Sequence, residues 1–235
     1  MKERTICSHH HNGGESRHQA CVSLVPIFNH LEADQLNEIM EVVRGVSYKK
    51  GEILYHPGDP SDALYIVNRG KIKIYRLSES GKEQIIRILH TGDFTGELAL
   101  FQQSVHEAYA EAITDSQICR IHRDDLQTLL LKYPTISLKI LKEFANRLEG
   151  SEKQTTRFAT EKVETRIALF LAEYVDDHDQ NIVTLPMSKK DLASYLGTTP
   201  ETLSRKLTDF EEQGIIKQQG QRKIKINDLD ALLLI

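Results

Sequence analysis

The chain has 235 residues, 40% of them hydrophobic and 27% charged, with a formal net charge of −4. That length accommodates two domains with separate cores, in the composition of an ordinary soluble protein. No apolar run reaches the length of a membrane span and the His-rich N-terminus is no signal peptide; a cytoplasmic protein is expected, in which Cys7, Cys21 and Cys119 form no permanent structural disulfide.

Residues 1–22 form a Cys/His-rich arm carrying Cys7, His9, His10, His11, His18 and Cys21, with almost nothing apolar to bury. A short amphipathic helix is expected over 32–43, where Leu36, Ile39, Met40 and Val43 share a face. From Gly51 to about Ile121 short alternating strands follow: Ile53 to Tyr55, Leu64 to Val67, Lys71 to Leu77, Gln84 to Leu89, Tyr109 to Ile113 and Ile118 to Ile121. Gly58, Gly70, Gly81 and Gly92 punctuate them at steps of 12, 11 and 11 residues. Evenly spaced turns of this kind indicate a sandwich or barrel over 23–133.

After Pro134 the pattern turns helical and stays so to about Val175, with a plausible hinge over 158–164. The helix over 134–160 is too long for one small barrel to cover, so its apolar stripe is expected to pair with a second copy of the chain. The remainder, 161–235, holds two short helices. Ser188 caps the first, whose stripe Leu192, Ala193, Leu196 ends at Gly197; Thr199 caps the second, with Pro200 at its first position. On the second helix Leu203, Leu207 and Phe210 share one face, while Glu201, Ser204 and Arg205 share another. An antiparallel helix pair alone would be unremarked. Here an alternating hairpin follows, turning at Gln218 to Gln221 and carrying Arg222, Lys223 and Lys225, so a winged helix-turn-helix that reads DNA is expected. Between Ser188 and Lys225 eight basic residues face five acidic ones, a local +3 on a chain of net −4; such a body touches DNA through one end only.

Gly51-Glu52-Ile53-Leu54, Leu64-Tyr65-Ile66-Val67-Asn68-Arg69-Gly70, Gly92-Asp93-Phe94-Thr95-Gly96-Glu97-Leu98, and Leu192-Ala193-Ser194-Tyr195-Leu196-Gly197 with Glu201-Thr202-Leu203-Ser204-Arg205 occur in register. In this order the chain resembles the Crp/Fnr family of bacterial transcription regulators over nearly its whole length. The resemblance implies an α+β fold: an N-terminal jelly roll of the cyclic-nucleotide-binding kind, a long dimerisation helix and a C-terminal winged helix-turn-helix. It also implies a homodimer on palindromic double-stranded DNA, with RNA polymerase as a further partner and no enzymatic activity. Glu201-x-x-Ser204-Arg205 looks like the Fnr-type reader, since the cyclic-AMP branch has Arg in place of Pro200 and Gly in place of Ser204; a TTGA-like half-site is expected. Arg205 can fork onto guanine O6 and N7, Glu201 can accept from a cytosine amino group, and Ser204 is small enough to approach a thymine methyl. Lys189, Thr198, Thr199, Lys206 and Arg222 are candidates for phosphate contacts.

In this family cyclic-nucleotide binding uses a Gly-Glu-Leu segment and, about ten residues later, an Arg-Ser or Arg-Thr pair. Gly96-Glu97-Leu98 is present, but the later positions read His106-Glu107-Ala108, where a carboxylate would repel a phosphate. Cyclic AMP is therefore not expected, and Glu97 reads as a cap or turn residue. The iron–sulfur oxygen sensors of the Fnr type hold a compact N-terminal cysteine group, which is missing here, and three cysteines cannot supply a four-thiolate cluster. Three readings stay open for the signal. Cys7 or Cys21 pairs reversibly with Cys119 as a thiol switch; or Cys7, Cys21, one of His9, His10, His11 and His18, and Cys119 bind zinc or iron; or Cys119 is merely a small buried hydrophobe beside a disordered arm. An unidentified small effector in the β-roll is the alternative input. A jelly-roll metal enzyme is the rival from another class, and the scattered His56, His90, His106 and His122 offer it no ligand pair.

Overall fold

The computed structural model describes residues 25–175 and 181–235. Helix α1 (Ala33–Val42) is opened by a capping box between Glu32 and Gln35. It leads into strands β1 (Arg44–Tyr48), β2 (Ile53–Tyr55), β3 (Pro60–Ser61), β4 (Ala63–Arg69), β5 (Ile72–Leu77), β6 (Glu83–Leu89), β7 (Phe94–Thr95), β8 (Ser104–Val105), β9 (Tyr109–Ala112) and β10 (Ser116–His122), with a 3₁₀ turn at Glu97–Leu100. Two four-stranded sheets, ordered β1-β10-β4-β7 and β2-β9-β5-β6, make the roll, and β3 with β8 forms a small ribbon. This is the expected jelly roll. β1 and the two-residue strands lacked an alternating run long enough to be read from sequence.

β4 shows how strand periodicity builds the unit. Tyr65 and Val67 join Tyr55, Ile72, Ile74, Leu89, Ala110, Ala112 and Ile118 in one cluster, while Leu64 and Ile66 join a second with Phe94, Cys119 and Ile121. Successive side chains point to opposite faces, so one strand serves two cores. α1, α2 (Arg123–Lys132) and the start of α3 (Pro134–Thr160) supply Ile39, Leu126, Ile136 and Ile140 to that second cluster. At Gly96, φ is +82° and an added Cβ would lie 2.3 Å from the Ala63 carbonyl oxygen, so only glycine lets β7 turn so close to β4.

The chain divides into two compact units, 1–77 with 86–146 and 78–85 with 147–235, so α3 contributes to both. α3 ends at Thr160, inside the hinge expected over 158–164, and Lys162, in extended backbone, caps α4 (Val163–Glu173), so the helical pattern that runs to about Val175 is two helices. The second unit continues with β11 (Ile182–Thr184), α5 (Lys189–Tyr195), α6 (Pro200–Glu212), β12 (Ile216–Gln219), β13 (Lys223–Ile226) and α7 (Leu229–Leu233). The wing is thus a three-stranded sheet, β11-β13-β12, rather than a bare hairpin. No described helix is long and apolar enough to cross a membrane.

Candidate nucleic-acid interface

α5 and α6 are set by local chemistry. The Ser188 hydroxyl accepts the Asp191 N–H at 3.1 Å, and Leu192 and Ala193 are buried. After Leu196 the chain turns at Gly197, φ +67°, and Thr198 N–H closes on the Ala193 carbonyl at 2.9 Å. Thr199 then accepts the Thr202 N–H at 3.2 Å and Pro200 takes the first helical position, where no N–H is needed. Leu203, Leu207 and Phe210 are buried, which fixes the rotation of α6 and leaves Glu201, Ser204 and Arg205 exposed together.

The face so presented is chemically ready. Arg205 makes no hydrogen bond or ion pair among the described residues. The Glu201 carboxyl is held below the usual range by its own backbone N–H and by the Thr199 hydroxyl, at the end of the helix where negative charge is favoured.

The proposed phosphate contacts are placed unevenly. Thr199 and Arg222 are exposed. Lys189 Nζ donates to Gln218 Oε1 at 2.6 Å, and Gln218 in turn donates to both carboxylate oxygens of Glu211 at 2.9 Å. Lys206 lies 3.8 Å from Glu164 and 3.6 Å from Asp209, and Thr198 is buried. The wing adds a row that the sequence reading had only in part. The pairings Lys217↔Lys225 and Gln219↔Lys223 put three lysines on one face while Ile216, Ile224 and Ile226 take the other. Lys217 was legible in the alternation of Ile216-Lys217-Gln218-Gln219.

Helix α3 has two apolar faces. Ile136, Ile140 and Phe144 pack on the roll, whereas Leu138, Leu141 and Leu148 are 68%, 58% and 62% exposed. Positions 138, 141, 145 and 148 follow an a/d heptad, the spacing of a helix–helix seam.

In the interior of the roll, Tyr55 Oη and Thr95 Oγ1 are hydrogen-bonded at 2.8 Å, and Arg87 Nη2 meets Glu97 Oε1 at 3.2 Å. Burial pushes the Tyr55 hydroxyl up to about 12. His106 stacks on Tyr55, rings 3.6 Å apart and 6° from parallel, and its Nε2 has no partner among the described residues. One expectation needs correction: Glu107 does not face this interior. In the irregular stretch between β8 and β9 it points outward, where it pairs with Arg76 and is 73% exposed. His106 takes the inward place. Arg87 was missed, although it shares the inward register of Ile85 and Leu89.

Cys119, on β10 in the helix-covered cluster, is 6% exposed and disulfide-bonded; its partner sulfur lies outside the described residues. Cys7, Cys21, His9, His10, His11 and His18 also lie outside them. Among the described residues no group of three or more His, Cys, Asp and Glu is arranged to hold a metal.

A jelly roll followed by a winged helix-turn-helix defines the class: a DNA-binding transcription regulator. Residues 45–133 match the family model for a cyclic nucleotide-binding domain, and 165–235 that for a Crp-like helix-turn-helix domain. The chain is 35% identical over 211 residues to a probable transcriptional regulator, flp, of Lacticaseibacillus casei, covering 90% of this chain and 96% of that one. It is 32% identical over 220 residues to an anaerobic regulatory protein of Pasteurella multocida, covering 92% and 78%. Among solved structures, FixK2 from Bradyrhizobium japonicum matches with a TM-score of 0.70 at 29% identity over 81% of this chain and 96% of that one. A CooA mutant from Carboxydothermus hydrogenoformans, at 24% identity and a TM-score of 0.72 over 83% and 88%, shares the fold. The chain belongs to the Crp/Fnr family of transcription regulators, a non-enzymatic class.

Proposed function

We propose that the protein is a cytoplasmic regulator that binds a TTGA-like palindrome as a homodimer, under control of the thiol state of its cysteines. The observation that carries the reading is the α6 face: Glu201, Ser204 and Arg205 exposed together, with the opposite face locked by Leu203, Leu207 and Phe210. Arg205 reads guanine, Glu201 accepts from cytosine and Ser204 meets thymine. Thr199, Arg222, Lys189 and the wing lysines hold phosphates, while Thr198 and Lys206 contribute through backbone and positioning. RNA polymerase is the expected protein partner.

The seam of Leu138, Leu141 and Leu148 pairs two copies, placing two readers one helical turn of DNA apart, about 34–36 Å. Leu141→Glu is expected to yield a monomer in analytical ultracentrifugation and to lose palindrome binding together.

Control through cysteine is favoured by the disulfide at Cys119 and by its neighbours. The cluster that surrounds Cys119 also seats Ile136 and Ile140 of α3, so making or breaking that bond acts on the helix that carries the seam. Pairing would be with Cys7 or Cys21. A zinc or iron site using these cysteines and the arm histidines is the second thiol reading, since a sulfur in a disulfide is not the thiolate a metal needs. Cyclic AMP is disfavoured by the inward His106 stack and by Arg87 already bonded to Glu97. An unidentified small effector in the roll is the alternative input.

The test is a gel shift on a TTGA-containing palindrome with reduced, oxidised and metal-loaded protein, with mass spectrometry of the cysteines in parallel. A shift that changes between thiol states supports the reading. No shift in any state defeats it, and a shift indifferent to thiol state removes the control while leaving the reader.

A further inference from the structure

A cavity of about 180 Å³ lies within the second unit, lined by Gly150, Lys153, Arg157 and Phe158 of α3, by Phe170 of α4 and by Tyr195 at the end of α5. Its α3 residues recur at i, i+3/4 and i+7/8, a face distinct from the Leu138–Leu141–Leu148 seam, so pairing through the seam leaves it open.

The lining combines an aromatic floor with a cationic rim. The Phe170 and Tyr195 rings meet edge to face at 5.9 Å and 62°. The Arg166 guanidinium lies 5.3 Å from the Phe158 ring centre, with Nε donating to the Leu196 carbonyl at 3.1 Å and Nη1 to the Glu161 carbonyl at 2.9 Å. Arg157 meets Glu173 at 2.7 Å. Lys153 Nζ meets Glu149 Oε1, which lies outside the lining, at 2.6 Å, so three cations face two carboxylates, one of them in the lining. The Tyr195 hydroxyl has no hydrogen-bond partner among the described residues. A cavity of about 180 Å³ lies below the roughly 300–1,000 Å³ of pockets for drug-sized ligands and has room for one ring.

We propose that this cavity is a binding site for a single-ring aromatic carboxylate, its ring against Phe158, Phe170 and Tyr195 and its carboxylate on Arg157 and Lys153 with the Tyr195 hydroxyl donating to it. The ligand sits against Leu196, whose carbonyl Arg166 fixes at the start of the helix-turn-helix turn, so occupancy is felt by the reader. The site does not depend on the operator assignment, because binding is read on the protein alone.

The test is fluorine NMR and calorimetric titration of the full chain with 4-fluorobenzoate, with 4-fluorobenzylamine as the cationic control. Expected is saturable binding with a Kd on the order of 0.1–1 mM and none by the amine. Arg157→Gln should weaken it by about 10-fold or more and Tyr195→Phe by a few-fold. Glu173→Gln should tighten it, since the competing carboxylate is gone, which a merely structural role for Glu173 would not do. Gly150→Leu guards against misfolding as an explanation: a Cβ there meets nothing within 4 Å, the change favours helix, and the larger side chain fills the cavity and abolishes binding. No saturable binding up to 10 mM (~10 times the weakest Kd expected), or binding unaltered by both Arg157→Gln and Gly150→Leu, overturns the proposal.

Discussion

The exposed face of α6 and the interior of the β-roll are both polar sites mounted on apolar scaffolds, and they are finished in opposite ways. On α6, Arg205 is held by nothing among the described residues and Glu201 is tied only to its own helix end. In the roll, Tyr55 is bonded to Thr95, Arg87 to Glu97, and His106 lies flat on Tyr55. An exposed polar group keeps its water until a partner arrives, whereas a buried one left unpaired costs about 1–3 kcal/mol. The reader is thus open by construction, whereas the roll pairs its interior groups with one another except at His106 Nε2. A signal that acts on this roll is better sought at the sulfur on its helix-covered face than in its interior.

The largest expected effect tests that placement. Pairing Cys119 with Cys7 or Cys21 closes a loop of about 100 residues, and chain entropy alone assigns such a crosslink about 4–5 kcal/mol. Reduction should lower the denaturant midpoint accordingly, and hydrogen exchange should quicken around Ile121 and Ile140 while α6 is unchanged. Equal midpoints in the two thiol states would sever Cys119 from the stability of the roll.

Next comes the reader itself. Arg205→Ala should lose about 1–3 kcal/mol of discrimination between the TTGA palindrome and a scrambled site, while weak, salt-sensitive binding persists. Competition gel shifts measure this; unchanged selectivity would move the reading of bases to other residues. Tyr55→Phe should do the converse. It removes one buried hydrogen bond, costing about 1 kcal/mol of unfolding free energy, and leaves operator affinity as it was. If operator affinity fell more than stability, the roll would be coupled to the reader through Tyr55.

The two regions also differed in how far they could be read beforehand. Caps, the turn glycine and two separate faces specify α5 and α6 within a few residues of one another, so Ser188, Gly197, Thr199 and Leu203 declared the helix pair from sequence. The roll interior is assembled from β2, β4, β6, β7 and the stretch after β8, and no local pattern brings Tyr55, Arg87, Thr95 and His106 together. The alternation of β6 marked Arg87 as inward but could not name Glu97 as its partner. Glu107 was placed inside because two residues of a short irregular stretch differ in facing by one step, and a one-residue slip inverts every side chain. The break at Glu161–Lys162 was visible only as a plausible hinge, since the helical pattern runs on through α4 without Pro or Gly.

The smallest effect concerns pH and separates the regions once more. Burial lowers the pKa of His106 below its ordinary 6.5, with Asp59, Asp62 and Glu97 pulling the other way. The unfolded chain therefore takes up this proton first as pH falls, and the stability His106 contributes is complete above 6.5 and is lost between 6.5 and its lower folded value. His90 and His30 are also lowered by burial and act in the same direction, so the test compares slopes. His106→Phe, which keeps the stack on Tyr55, should flatten the decline in unfolding free energy between pH 8 and 5 (~1.5 units to either side of the ordinary histidine pKa) without abolishing it. The Glu201 carboxyl, held below its ordinary 4.5, stays ionised throughout that window. Acidification should accordingly soften the roll while leaving the charge of the reader untouched; an identical slope in wild type and His106→Phe would show that His106 is not held neutral by the roll.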